Sequence, residues 1–165
     1  MVNYRNPSQY DLVFIDSSAI DAIRADNDLN KFFETKHMVF RSNSLEQEIN
    51  HENTPDKTKQ PFKGINWFTS DTPLNNQEEK IKEGIIKIMQ GDAISSDKHL
   101  NDALHIFDAA KWEGYFIAVD KRIIKKRDLI SKFLFNEQFG TFKFIDTRFI
   151  FTPTEFVNIS KKNGN

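Results

Sequence analysis

The 165-residue chain has no cysteine, which excludes disulfide scaffolds, cysteine-ligated zinc, iron–sulfur clusters and thiol nucleophiles in one step. Its six glycines, at 64, 84, 91, 114, 140 and 164, spell neither the GxGxxG dinucleotide fingerprint nor the GxxxxGK[ST] phosphate loop. There is no GxSxG elbow, and His37, His51, His99 and His105 form no HExxH pair, so serine nucleophiles and zincin chemistry lose their support. An excess of charge of one sign is also missing. Against 23 Lys and Arg stand 24 Asp and Glu, a formal net charge of −1, which argues against binding nucleic acid through a global positive field and leaves only a local basic patch. The longest apolar runs, Leu12 to Ile15 and Tyr115 to Val119, fall far short of the ~18 residues that span a bilayer. The first ten residues have no basic start followed by an apolar stretch. The chain therefore reads as a cytoplasmic protein of a reducing compartment.

What is present is a foldable composition. Apolar residues make up 38% and charged residues 28%, and 16 of the side chains are Phe, which a disordered chain would not carry. The length predicts one domain over 1–165, with an irregular, insertion-like segment at about 53–74 where polar NTPDKTKQ runs into a stretch containing Phe62, Ile65, Trp67 and Phe68.

Leu12 to Ile15 is apolar without alternation, the pattern of a central strand covered on both faces. Helices are expected from Ser17 to about Arg24 and after Asp28, read as a cap. A strand follows at Met38 to Phe40, and Ser44 caps a helix to about Asn50. Ile81, Ile85, Ile88 and Met89 form an amphipathic stripe ending at Gly91. Ala103, Ile106, Phe107 and Ala110 form another on a helix from about Asp97 to Glu113. Then come a strand at Tyr115 to Val119, a basic helix to about Phe135, a strand at Phe142 to Ile145 and a closing turn at Thr152-Pro153-Thr154. Strands separated by helices imply crossover connections, hence a three-layer α/β/α domain with a mainly parallel central sheet.

In such a sheet, function gathers beyond the carboxyl ends of the strands. Asp16 follows the first strand and Asp120 follows Tyr115 to Val119, so both side chains should emerge at one edge, with Asp102 and Glu48 able to join them from flanking helices. Clustered carboxylates raise one another's pKa and are costly to desolvate, a conflict that a divalent cation resolves. All-oxygen ligands favour Mg²⁺ or Mn²⁺, which suits hydrolysis of a phosphodiester. The plainer alternative is that an Asp after a strand only caps the next helix.

The residues resemble the PIN domain family. Leu12-Val13-Phe14-Ile15-Asp16-Ser17-Ser18-Ala19 is similar to its opening strand-then-Asp-[TS]-[SN] motif. Asp102 to Ala110, then Gly114 and Ala118-Val119-Asp120, is similar to its second half, and Thr152-Pro153-Thr154-Glu155-Phe156 to its "TPxEF" ending. The likeness covers nearly the whole chain, with 53–91 matching only as generic helix and loop. Ala118 stands where the family often has Thr or Ser, and the middle segment is longer than in compact members.

The resemblance implies a Mg²⁺- or Mn²⁺-dependent endoribonuclease of VapC-like type, in many relatives the toxin of a toxin–antitoxin pair. Asp16, Glu48, Asp102 and Asp120 would bind the metal and carry catalysis; the family's placing of its second acid selects Glu48 over Glu46. Ser17 matches the hydroxyl residue that supports the site. Lys121, Arg122, Lys125, Lys126 and Arg127, directly after Asp120, are candidates for holding RNA phosphates, against the reading that they are a solvated helix face. His105 and Asp108 share the helix of Asp102, where a role in proton transfer stands against the plainer reading of His105 as a packing histidine. The implied partners are an RNA substrate, an antitoxin protein and a second copy of the chain. The rival function is a catalytically weak or inactive PIN-like module that binds RNA or protein.

Overall fold

Val13–Ile15 (β1) is buried at all three positions, as an unbroken apolar run of β-favouring residues requires. The computed structural model describes residues 7, 11–35, 39–41, 66–67, 73–91, 97–140 and 147–162. Beside β1 lie Val39–Arg41 (β2), Asn66–Trp67 (β3), Tyr115–Ile117 (β4) and Ile150–Phe151 (β5). All neighbours pair in parallel, in the order β3-β2-β1-β4-β5. The chain thus works outward from β1 on one side and then returns to fill the other. The reversal falls between β1 and β4, and their carboxyl ends flank it.

Among the described residues six helices cover the sheet: Ser17–Ala25 (α1), Asn27–Thr35 (α2), Asn76–Gln90 (α3), Asp97–Lys111 (α4), Lys121–Asn136 (α5) and Pro153–Lys162 (α6). Right-handed crossovers that step in opposite directions from a central strand place their helices on opposite faces. Accordingly, Phe14, Phe116 and Ile150 pack with Ile81, Ile85 and Met89 of α3, Ile106 and Ala110 of α4, and Ile130 and Leu134 of α5. The alternate strand positions, Val13, Ile15, Tyr115, Ile117 and Phe151, pack with Ile20 and Ile23 of α1, Phe33 of α2 and Phe156 of α6. The expected three-layer architecture is the one found.

Phenylalanine fills both layers. On the α1 side the Phe33 and Phe156 rings stack at 6.0 Å, and Tyr115 lies 5.4 Å from Phe156. On the other side Phe133 lies so close to Gly84 that a Cβ there would be 2.1 Å from the ring, so α3 and α5 approach only because position 84 has no side chain.

Two expectations need correction, the cap of α2 and the closing turn, and two short strands, β3 and β5, fall where none was expected. The cap of α2 is Asp26, not Asp28: its Oδ1 accepts the N–H groups of Asp28 at 2.9 Å and Leu29 at 3.1 Å. β3 lies inside the segment read as irregular; two residues on a sheet edge leave no periodicity to detect. The strand that pairs with β4 near the end of the chain is Ile150–Phe151. And Thr152-Pro153-Thr154 is no closing turn but the start of α6. There Thr152 Oγ1 accepts from Glu155 N at 3.3 Å and Glu155 Oε2 accepts from Thr152 N at 3.4 Å, with Pro153 in the first helical position. The helix expected over Ser44 to Asn50 and the strand expected over Phe142 to Ile145 lie outside the described residues.

Candidate metal centre

The ends of β1 and β4 are locked side by side. Val13, Phe14 and Ile15 register with Tyr115, Phe116 and Ile117, and Asp16 N donates to Ile117 O at 2.9 Å. Asp16 and Asp120 are then the residues that cap α1 and α5, each with extended backbone and a carboxylate turned back onto the new helix. A third strap joins the two loops, from Val119 N to Ser18 Oγ at 3.2 Å.

Asp16 is buried, with 3% of its surface exposed. One oxygen accepts from the Ser18 N–H at 3.1 Å and from the Ser18 hydroxyl; the other lies 3.2 Å from His105 Nδ1. Burial pushes the Asp16 carboxyl up, but His105 and the two Ser18 donors outweigh it, and the net direction is below the ordinary value. Among the described residues the hydroxyl that bonds Asp16 is that of Ser18, the neighbour of the expected Ser17. A capping carboxylate reaches the second helical residue, not the first.

His105 belongs to this site. It sits three residues after Asp102 on α4, and residues three apart share a helix face. Asp16, Asp102 and His105 each offer a ligand atom, these atoms lie within 4.8 Å of one another, and all three residues are buried. The donor set of two carboxylates and an imidazole fits a divalent ion, with Mn²⁺ accepting the nitrogen more readily than Mg²⁺. The i, i+3 spacing from Asp102 is the signal for His105 that the sequence carries, and it corrects the reading of that side chain as a packing histidine.

Asp102 is the strained member. Burial, and then the charge of Asp16, push its carboxyl up to about 6, with Arg122 pulling the other way. A proton shared into this cluster near neutrality, or a cation in its place, relieves the same repulsion.

Asp120 is only partly buried, and Arg122 grips it. Asp120 Oδ1 accepts from Arg122 N at 2.9 Å and Nε at 3.1 Å, and Oδ2 accepts from Nη2 at 2.7 Å. The same Nη2 reaches Asp102 Oδ2 at 3.2 Å, so one guanidinium spans both acids. Of the other basic candidates, Lys121 and Lys125 are exposed on α5 and Lys126 is half-buried. Arg127 is turned away to Glu155, with contacts of 2.7 and 3.3 Å that tie α5 to α6. Glu48 and Glu46 lie outside the described residues.

A scan against protein-family models, a search of curated proteins and a search of solved structures each gave no match. What stands is an α/β protein with a parallel sheet and a buried Asp/Asp/His group able to hold a metal ion. Among the described residues, no helix is long and apolar enough to cross a membrane.

Proposed function

We propose that the chain is a PIN-like endoribonuclease that hydrolyses RNA phosphodiesters with Mg²⁺ or Mn²⁺. The observation that carries this reading is the convergence of Asp16, Asp102 and His105 on one buried point at the β1/β4 switch, with Asp120 at its rim. Asp16, Asp102 and His105 would hold the ion, with Asp120 beside them and Glu48 as the acid that the PIN resemblance adds. Once bound, a divalent ion acidifies water and neutralises charge developing on a phosphodiester.

The chain supplies the rest. Ser18 and His105 fix the Asp16 carboxylate in one orientation, so a ligand oxygen is preset rather than ordered on binding. α1 and α5 both begin at this edge, and their N-terminal ends favour an anionic substrate there. Lys121 and Lys125, exposed on the first turns of α5, would hold flanking phosphates. A toxin role with an antitoxin partner is the biological setting that the resemblance favours.

One observation supports a second reading, a binding module without turnover: Arg122 lies across two of the acids. Incubating the protein with single-stranded and structured RNA in Mn²⁺ separates the two. Cleavage that EDTA and Asp16→Asn abolish is the expected result. Binding of RNA without cleavage at any Mn²⁺ or Mg²⁺ concentration would establish the module instead.

A further inference from the structure

We infer that Arg122 is a built-in second cation of the acid cluster, so that the site takes one divalent ion and Arg122 takes the place of a second. The inference rests on the nuclease reading above and fixes its metal stoichiometry.

The acids fall into two groups by what faces them. Asp16, Asp102 and His105 turn their ligand atoms toward one another within 4.8 Å, deep in the fold. On the outer side, both Asp120 oxygens and one Asp102 oxygen receive Arg122, whose side chain is about one-third exposed at 36%. A second divalent ion would need that outer group, since Asp120 and Asp102 are the described carboxylates that border it.

Charge makes the same division. The three described carboxylates carry three negative charges when ionised; one divalent ion and one guanidinium balance them. Adding a second divalent ion beside Arg122 would leave a positive excess even with Glu48 included. A guanidinium is charged at every accessible pH, and its planar fork suits a carboxylate pair better than a hydrated ammonium does. Its anchoring is local as well, because Asp120, the cap of α5, is only two residues away from Arg122 in the first turn. A second ion therefore competes with a tethered cation rather than with water.

The test is metal stoichiometry in the intact chain. Titration calorimetry with Mn²⁺ should give one ion per chain for the wild type and for Arg122→Lys, and two for Arg122→Met, which keeps the apolar stem and removes the charge. Electron paramagnetic resonance should show an isolated Mn²⁺ spectrum in the first two and a spin-coupled pair in the third. Thermal unfolding checks that each variant is folded, and Arg122→Lys carries the comparison if Arg122→Met is not. Two ions in the wild type, two in Arg122→Lys or one in a folded Arg122→Met would overturn the inference while leaving the nuclease reading intact. No bound Mn²⁺ in the wild type would end both.

Discussion

Asp16 and Asp120 perform the same backbone task at neighbouring strand ends. Each follows a buried parallel strand, caps the helix that comes next and accepts the N–H two residues on, from Ser18 and from Arg122. Beyond the cap they differ. Asp16 is buried against a hydroxyl and an imidazole, whereas Asp120 is partly exposed and gripped by an arginine. Capping and ligation are thus not competing explanations for an acid after a strand. The cap fixes where the carboxylate is, and the elements packed over it decide what it can bind.

The largest effect should separate the two acids by charge alone. Asn caps helices as well as Asp does, so Asp16→Asn and Asp120→Asn should both keep their helix caps and fold. Asp16→Asn should lose Mn²⁺ affinity by more than ~100-fold and Asp120→Asn by only about 10-fold, the range seen when a partner outside the ligand set is changed. Calorimetric titration reads both. Equal losses would mean that the two ends are equivalent and that the burial difference has no chemical meaning.

A smaller effect tests whether the two ends depend on the register of their strands. Gly114 enters β4 against β1: a Cβ there would meet the Phe14 ring at 2.7 Å and Leu12 Cβ at 3.1 Å. Gly114→Ala should destabilise the fold by about 1–3 kcal/mol, measured by urea unfolding, because the ring it displaces is itself packed in the core. If the strands shift to accommodate it, Mn²⁺ affinity falls as well. Full stability would show that the β1/β4 contact is looser than the shared hydrogen bonds imply.

The two strands and the acids that follow them were legible in the sequence because a parallel strand buried on both faces is apolar without interruption and stops abruptly. The α3 and α4 stripes were legible for the same reason at helical spacing. Other features failed for identifiable causes. Thr152-Pro153-Thr154-Glu155 spells a capping box, but a Thr-Pro pair near the end of a chain reads equally well as a turn, and α6 was missed. Asp26 and Asp28 are both plausible caps, and only the hydrogen bonds decide between them. His105 needed tertiary information: its spacing from Asp102 places both on one face, but only the fold brings β1 under that face. Arg122 is the strongest case. In the sequence it is one of five basic residues in a run, and in the fold it alone among them reaches two of the acids, while Arg127 is tied to Glu155.

The smallest effect is a pH dependence, and here Asp16 pairs with Asp102 rather than with Asp120. Asp102, raised to about 6, holds its proton more tightly folded than unfolded; its contribution to stability is present below the ordinary carboxylate value and is lost as pH rises through about 6. Asp16 is displaced downward, so its contribution is present above the ordinary value and is lost as pH falls through its lower folded value. Without metal, unfolding measured from pH 4 to 7 should therefore show a decline toward neutrality that Asp102→Asn removes. With Mn²⁺ the sign reverses, because the ion must displace the Asp102 proton: affinity should fall about 10-fold for each pH unit below 6. The Mn²⁺-induced rise in Tm at pH 5, 6 and 7 measures this directly. A rise independent of pH would place Asp102 outside the ligand set and leave Asp16 and His105 as the only described residues on the ion.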